Sequence, residues 1–415
     1  MTTTTIQKLL ASAGTAAAFA ASSLVAGDYG KAVIDDKMPI ESAPWTLCDV
    51  FDYNTLYESD SGFIRGISVH GRYHGQYITG QEEINGVTNN GYHNWAHRRV
   101  RLALEVEMAN NLTFFAEANI ADGTGSSTGL VNPGDPFFND FQDFYIKWEP
   151  TDAYFLKIGK QKQHLTREDI ESSKRIKTVE RSAIVNEVAG ARPWGVVFGF
   201  ETGELSHEIG GWIYGAQADS PLWVDTRANA GFSYNLEVPV SDSTTVFFDY
   251  VFVDNDGGAD TAQGPAANGT VGSAYEHSLA LGAEYESGRF ELMTDLVYAA
   301  NRTSSGGIPA GDDTWGFYVI PSYDITEKLE AVFRYAYMAQ GREQRTQRFG
   351  DDLDGDLDAR QSVENYHTFY AGLQYFICGD NLKLMAGYEY ATGEIFGTNN
   401  DLNNGQWQFA VRTYF

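Results

Sequence analysis

The 415-residue sequence predicts an all-β fold: a 16-stranded antiparallel transmembrane β-barrel with an inward-folded third outer loop. Three observations point there. Apolar and polar residues alternate with period two from about Gly62 almost to the C-terminus, as half-buried strands require. Short and long connections alternate along the chain. The N-terminus is of the export type, yet after Gly27 there is no apolar run of the roughly 18 residues that a spanning helix needs.

Residues 1–27 read as a secretory signal peptide. They hold one Lys in a short start, an apolar, Ala-rich run from Leu9 to about Ala26, and small residues for cleavage between Ala20 and Gly27. A membrane anchor is the poorer reading, because the run is short and rich in Ala, Ser and Thr. Residues 28–59 lack sustained alternation and are expected to be a periplasmic lead-in, with the barrel occupying 60–415. A content of 14% aromatics and 43 glycines suits many short strands joined by tight turns.

The first strand, 61–77, carries Phe63, Ile67, Val69, Gly71, Tyr73 and Tyr77 on one face and Ser68, His70, Arg72, His74 and Gln76 on the other. The second, 91–108, sets Val100, Leu102, Leu104, Val106 and Met108 against Arg99, Arg101, Glu105 and Glu107. Similar runs follow at 112–121, 137–149, 153–162, 193–201, 205–214, 223–236, 243–254, 274–286 and 288–299. Five more lie at 314–324, 328–339, 364–376, 382–392 and 406–415. Short connections include Ala109–Asn111, Pro150–Asp152, Ser287–Gly288 and Gly379–Asn381; long ones include 78–90, 122–136, 163–192, 255–273, 300–313, 340–363 and 393–405. Short turns at one rim and long loops at the other suit a Gram-negative outer-membrane barrel with both ends in the periplasm, surrounded by lipid and lipopolysaccharide. In the last strand, WQFAVRTYF, the residues Trp407, Phe409, Val411 and Phe415 share a face with Thr413. It resembles the C-terminal strand that the barrel-assembly machinery reads; an ordinary edge strand is the alternative.

Lys or Arg on the lipid face costs roughly 2–4 kcal/mol at the midplane, so charged members of alternating strands are expected in the lumen. That nominates Arg72, Arg99, Arg101, Lys147, Lys157, Arg227, Arg334 and Arg412 as cations, and Glu105, Glu107, Glu117, Glu149 and Asp295 as anions. Such a mixed lining implies a water-filled channel. From Lys157 to Arg181 the chain has eight Lys/Arg against four Asp/Glu, a local +4 within a net charge of −27. Lys160, Lys162, Arg167, Lys174, Arg175, Lys177 and Arg181 lie in this insertion or at its entry. An insertion of this length is either a solvated surface loop or a loop folded into the lumen as its narrowest part, where Lys/Arg rings favour anions.

The order FLKIGKQKQHLTREDIESSKRIKTVERS followed by ARPWGVVFGF resembles the central block of the phosphate-selective porin O and P family. Gly159, Gln161, Lys162, Ser172, Ser173, Glu180, Arg181, Ser182, Arg192 and Gly195 stand at the matching positions, and a weaker likeness continues to the terminal strand. The resemblance implies a 16-stranded barrel, usually a homotrimer, whose third outer loop constricts the lumen. Phosphate specificity does not follow, because Glu is mixed into the lumen positions where phosphate-specific members carry a dense basic ladder.

Cys48 precedes the first strand and Cys378 lies beside a short turn, which puts both near the barrel closure in a compartment that permits a disulfide. Asp352, Asp354, Asp356 and Asp358 resemble a calcium loop only superficially: Leu357 stands where the turn needs Gly, and Val363 where a Glu ligand belongs. A solvated loop is the main reading and weak metal binding the lesser one. His93, His97, His164, His207, His277 and His367 are scattered, with no Ser-centred elbow; the HxxxH spacings His70–His74 and His93–His97 fall in strand-like runs, where four residues span about 13 Å rather than one helical turn, so catalysis is not expected. The expected function is passive diffusion of ions and small hydrophilic solutes with modest anion preference, phosphate being one candidate. No cofactor and no nucleic-acid partner is expected. The alternative is a closed structural or adhesive barrel.

Overall fold

The computed structural model describes residues 46–88, 91–121, 140–189, 192–214, 229–254, 275–302, 313–342, 362–395, 397–398 and 400–415. These residues belong to the compact unit Thr46–Phe415. The signal-peptide segment and residues 28–45 of the lead-in lie outside them.

Sixteen long strands follow one another: β1 Ile64–Ile84, β2 Tyr92–Met108, β3 Leu112–Ala121, β4 Asp140–Thr151, β5 Tyr154–Lys160, β6 Trp194–Thr202, β7 Leu205–Tyr214 and β8 Asn229–Ser241. The second half comprises β9 Thr244–Val253, β10 Tyr275–Ser287, β11 Phe290–Arg302, β12 Thr314–Thr326, β13 Leu329–Arg342, β14 Ser362–Phe376, β15 Leu382–Ile395 and β16 Asp401–Tyr414. Each pairs antiparallel with its sequence neighbour, and β16 returns to β1, so the sheet closes. The expected count and order hold. Asn110 and Asn111, with φ of 63° and 58°, carry the three-residue β2–β3 connection in the left-handed conformation that Asn adopts more readily than most residues.

Several ends differ from expectation. β1 continues to Ile84 and folds back through Val87–Thr88, and β15 and β16 extend to Ile395 and from Asp401. Both expected long loops are therefore shorter, because polar residues such as Gln81, Glu82, Asn403 and Asn404 stay in the ladder beyond the point where apolar alternation stops. The lead-in is not featureless either: Leu47–Asp52 form a 3-10 helix and Thr55–Glu58 a short strand.

That short strand sits at the seam. β16 pairs with β1 only down to Tyr414↔Arg72. Below it, Tyr57 and Glu58 pair with Ile67 and Gly66 of β1, and Val69 N–H donates to the Asn54 carbonyl at 2.9 Å. The β1 edge is thus occupied first by the C-terminus and then by the lead-in. Gly71 and Phe415 exchange two backbone hydrogen bonds, of 2.9 and 3.1 Å. A Cβ on Gly71 would lie 2.0 Å from the Phe415 ring, so only glycine lets that ring cover the seam. Cys48 and Cys378, in the β14–β15 turn, are joined as a disulfide with Cα atoms 5.3 Å apart.

The outward face is apolar in the middle, with exposed Ile158, Phe198, Leu281, Leu296, Phe333 and Leu373. Aromatics stand at both margins: Trp148, Tyr154, Tyr323 and Tyr375 near the short turns, Trp95, Tyr298 and Trp315 near the long connections. An apolar band between two aromatic girdles is the surface of a membrane-spanning barrel. His97, His207, His277 and His367 lie on this outer face, each with Nδ1 2.9 Å from a tyrosine hydroxyl of a neighbouring strand: Tyr73, Tyr234, Tyr250 and Tyr335.

Candidate functional site

Residues 161–193 connect β5 to β6, described except for 190–191, and hold two short helices, α1 (Arg167–Ile170) and α2 (Ala183–Val188). Inward side chains of the wall fix the entry to α1. Asp249 accepts from Thr166 N–H (3.1 Å), Asp295 from Arg167 N–H (2.8 Å) and the Tyr318 hydroxyl from Glu168 N–H (2.8 Å). Together they take up the orphan donors of a helix start and hold Thr166 at φ 76°, a strained conformation for a β-branched residue. α2 is anchored differently. Its Ala183, Ile184, Val185 and Val188 are buried in one apolar cluster with Val251, Val297, Ile320, Val332 and Met338 from the inward face of β9–β13.

Two arginines clamp the segment between these anchors. Arg334 on β13 donates to Glu168 (3.1 Å), Thr178 (2.9 Å) and the Glu180 carbonyl (2.6 Å), and also pairs with Glu389 of β15. Arg412 on β16 donates to the carbonyls of Ser173 (3.3 Å), Ile176 (3.5 Å), Thr178 (3.3 Å) and Val179 (2.5 Å). Both were expected to line water, but they are 3% and 1% exposed. Their planar five-donor forks are used to satisfy backbone carbonyls and carboxylates that would otherwise be stranded.

The remaining nominated cations divide by partner. Arg72 reaches Ser173 Oγ (2.6 Å) and Glu117 (3.2 Å). Arg99 is buried against His74 (3.3 Å), and Arg101 bonds Asn119, Glu117 and Gln142, each at 2.9 Å. Lys160 is buried. Arg167 stacks on Phe247 at 3.6 Å and reaches Glu284. Lys177 bridges Glu330 (2.6 Å) and Glu291 (2.7 Å), while Arg181 donates to the carbonyls of Glu168, Asp169 and Glu171 within its own segment. Lys174 lies over the Tyr414 ring at 4.3 Å, and Arg175, 63% exposed, pairs with Glu171. Lys157 rests on aromatic rings of β4 and β5. Arg227 and the aspartates 352, 354, 356 and 358 lie outside the described residues. Among the described residues no group of three or more His, Cys, Asp or Glu is arranged to hold a metal.

Of the acids that answer these cations, sequence reading nominates Glu117 for the lumen but not the buried Glu168, Glu180, Glu330 and Glu389, Glu180 standing there only as a family-matching position. It also missed α2, although the apolar triplet in AIVNEV, set inside a polar insertion, was a signal for a buried anchor.

One corner remains rich in cations. Arg98 meets Glu180 at 2.7 Å, Lys162 meets Asp169 at 3.3 Å, Arg192 meets Asp143 at 3.6 Å, Arg181 adjoins Asp169 at 3.6 Å, and Arg72 and Arg101 share Glu117 at 3.2 and 2.9 Å. Burial lowers the Lys162 ammonium to about 7, with Asp169 resisting and Arg181 and Arg192 assisting. Burial works to raise the Asp169 carboxyl, but Lys162, Arg181 and Arg192 hold it below its ordinary value.

Comparison with known proteins agrees with this architecture. No curated protein sequence matches the chain. Among solved structures, OmpF of Salmonella typhi, in complex with daunomycin, is 13% identical with a TM-score of 0.55, covering 87% of this chain and 100% of its own. OmpT of Vibrio cholerae, expressed in the outer membrane, is 12% identical with a TM-score of 0.54, covering 86% and 100%. At such identities the likeness concerns the fold. The family Phosphate-selective porin O and P matches residues 67–288, just over half of the sequence and spanning the whole 161–193 segment, so the chain belongs to the phosphate-selective porin O and P family.

Proposed function

We propose that this barrel, a passive channel of the Gram-negative outer membrane by its family, is narrowed by segment 161–193 folded into the lumen and passes small anions in preference to cations. The observation that carries this reading is the cation-rich corner. Arg72, Arg98, Arg99, Arg101, Lys162, Arg181 and Arg192 gather there against Glu117, Asp143, Asp169 and Glu180. The surplus is positive even after pairing, and a confined aqueous passage concentrates the counter-ion of its walls. The inward position is supported by the segment's hydrogen bonds to inward residues of β1, β9, β11, β12, β13 and β16. Because most of its cations are already matched by carboxylates, the expected preference is modest. A homotrimeric assembly accompanies this reading, as does insertion by the barrel-assembly machinery through β16.

The test is single-channel current in a planar bilayer, with the reversal potential under a KCl gradient and phosphate added as blocker. An anion-leaning reversal potential supports the reading, and block by micromolar phosphate narrows it to phosphate. A cation-leaning reversal potential overturns the anion preference. An absence of current favours the closed structural barrel.

A further inference from the structure

The segment's anchors leave part of the inward wall uncovered. At the short-turn end of β3–β6, Phe115, Tyr145, Lys147, Phe155 and Lys157 all point inward and all remain partly exposed. Phe115 and Tyr145 stand directly opposite on β3 and β4, with ring centroids 5.3 Å apart and an interplanar angle of 27°, forming one stacked platform. Lys157 Nζ lies 5.1 Å from the Tyr145 centroid and 5.9 Å from that of Phe155, and Lys147 Nζ lies 4.9 Å from the Phe155 ring. Phe155 is seated on the wall by Gly199, its cross-strand partner, where a Cβ would come within 2.1 Å of the ring.

The two lysines give the cluster its charge logic. Lys147 and Lys157 are directly opposed across β4 and β5, a like-charge pair that strands normally avoid. Lys147 is answered by Glu149 at 2.8 Å, whereas Lys157 has no acid in ion-pair contact among the described residues, Glu208 and Asp143 acting on it only from farther away. Such a pair is relieved by an anion, and the rings beside it offer flat apolar surface that a bare inorganic anion cannot use.

We propose that this cluster is a subsite for small aromatic anions, such as aryl carboxylates: the solute ring stacks on the Phe115–Tyr145 platform and its charged group sits between Lys147 and Lys157. The proposal deepens the channel reading and rests on it for access through the lumen. A cationic ring is disfavoured by the lysines already occupying the aromatic faces. A saccharide would use the platform but gain nothing from the paired ammoniums.

Titration calorimetry of the detergent-purified barrel reads this site whether or not the channel conducts, which separates its failure from that of the channel reading. Benzenesulfonate and methanesulfonate carry the same fixed charge and differ in the ring. Benzenesulfonate is expected to bind roughly tenfold more tightly than methanesulfonate, the scale of one aromatic contact. Phe115→Leu keeps apolar volume and is expected to erase the difference between the two sulfonates; Lys157→Gln is expected to weaken both. Equal affinity of the two sulfonates for the parent protein, or an unchanged ratio in Phe115→Leu, overturns the proposal.

Discussion

Single side chains in this lumen are legible from sequence as inward-pointing but not as free or engaged. Alternation assigns Arg334 and Arg412 to the inner face, yet whether an inward arginine meets water or protein groups depends on residues 150 or more positions away, such as Glu168 and Val179. Replacing Arg334 by Met leaves Glu168 and Glu389 buried without their shared partner, a loss of about 3–5 kcal/mol for a broken buried pair. The expected outcome is proteolytic cutting within 161–193 and a noisier, larger channel current; an unchanged digestion pattern would show that the clamp is dispensable. Lys162 behaves differently, because its ammonium sits near 7. Protonated below that value and neutral above it, Lys162 removes one positive charge from the corner as pH rises. Anion preference should therefore fall between about pH 6 and 8, where a group of this pKa titrates. Lys162→Met should show the reduced preference at every pH, so reversal potentials measured across this range in both proteins check the assignment.

At the level of elements, the strands were readable and the insertion was not. A strand declares itself through its own period, and all sixteen staves overlap the predicted runs, the largest departure being the end of β1, at Ile84 rather than Tyr77. Segment 161–193 has no period: its conformation is imposed by Asp249, Asp295, Tyr318 and the apolar patch of β9–β13, none of which is near it in sequence. The two anchors can be tested apart. Ile184→Ala removes a fully buried side chain from the α2 cluster and should cost about 2–5 kcal/mol of docking. Its effect should be confined to the segment, read as increased open-channel noise with an unaltered heat-unfolding transition of the barrel. A lowered barrel transition would instead mean that α2 supports the wall itself.

For the molecule as a whole, the decisive feature is the seam, where β1 meets first Phe415 and then the lead-in strand. The disulfide bridges 330 positions of sequence, and its two ends approach only when β1, β16 and β15 lie side by side. In a sheet not yet closed, Cys48 hangs from one free edge and Cys378 lies one strand inside the other. Replacing Cys48 by Ser should lower the temperature at which the folded, fast-migrating form converts to the unfolded one in gel electrophoresis, while conductance at room temperature stays as it was. The consequence reaches beyond stability. Oxidation of this pair is a chemical timestamp: a thiol-trapping pulse during biogenesis should find both cysteines reactive until the last pair of edges meets and unreactive afterwards, so the covalent state of each molecule records whether its circle has been completed.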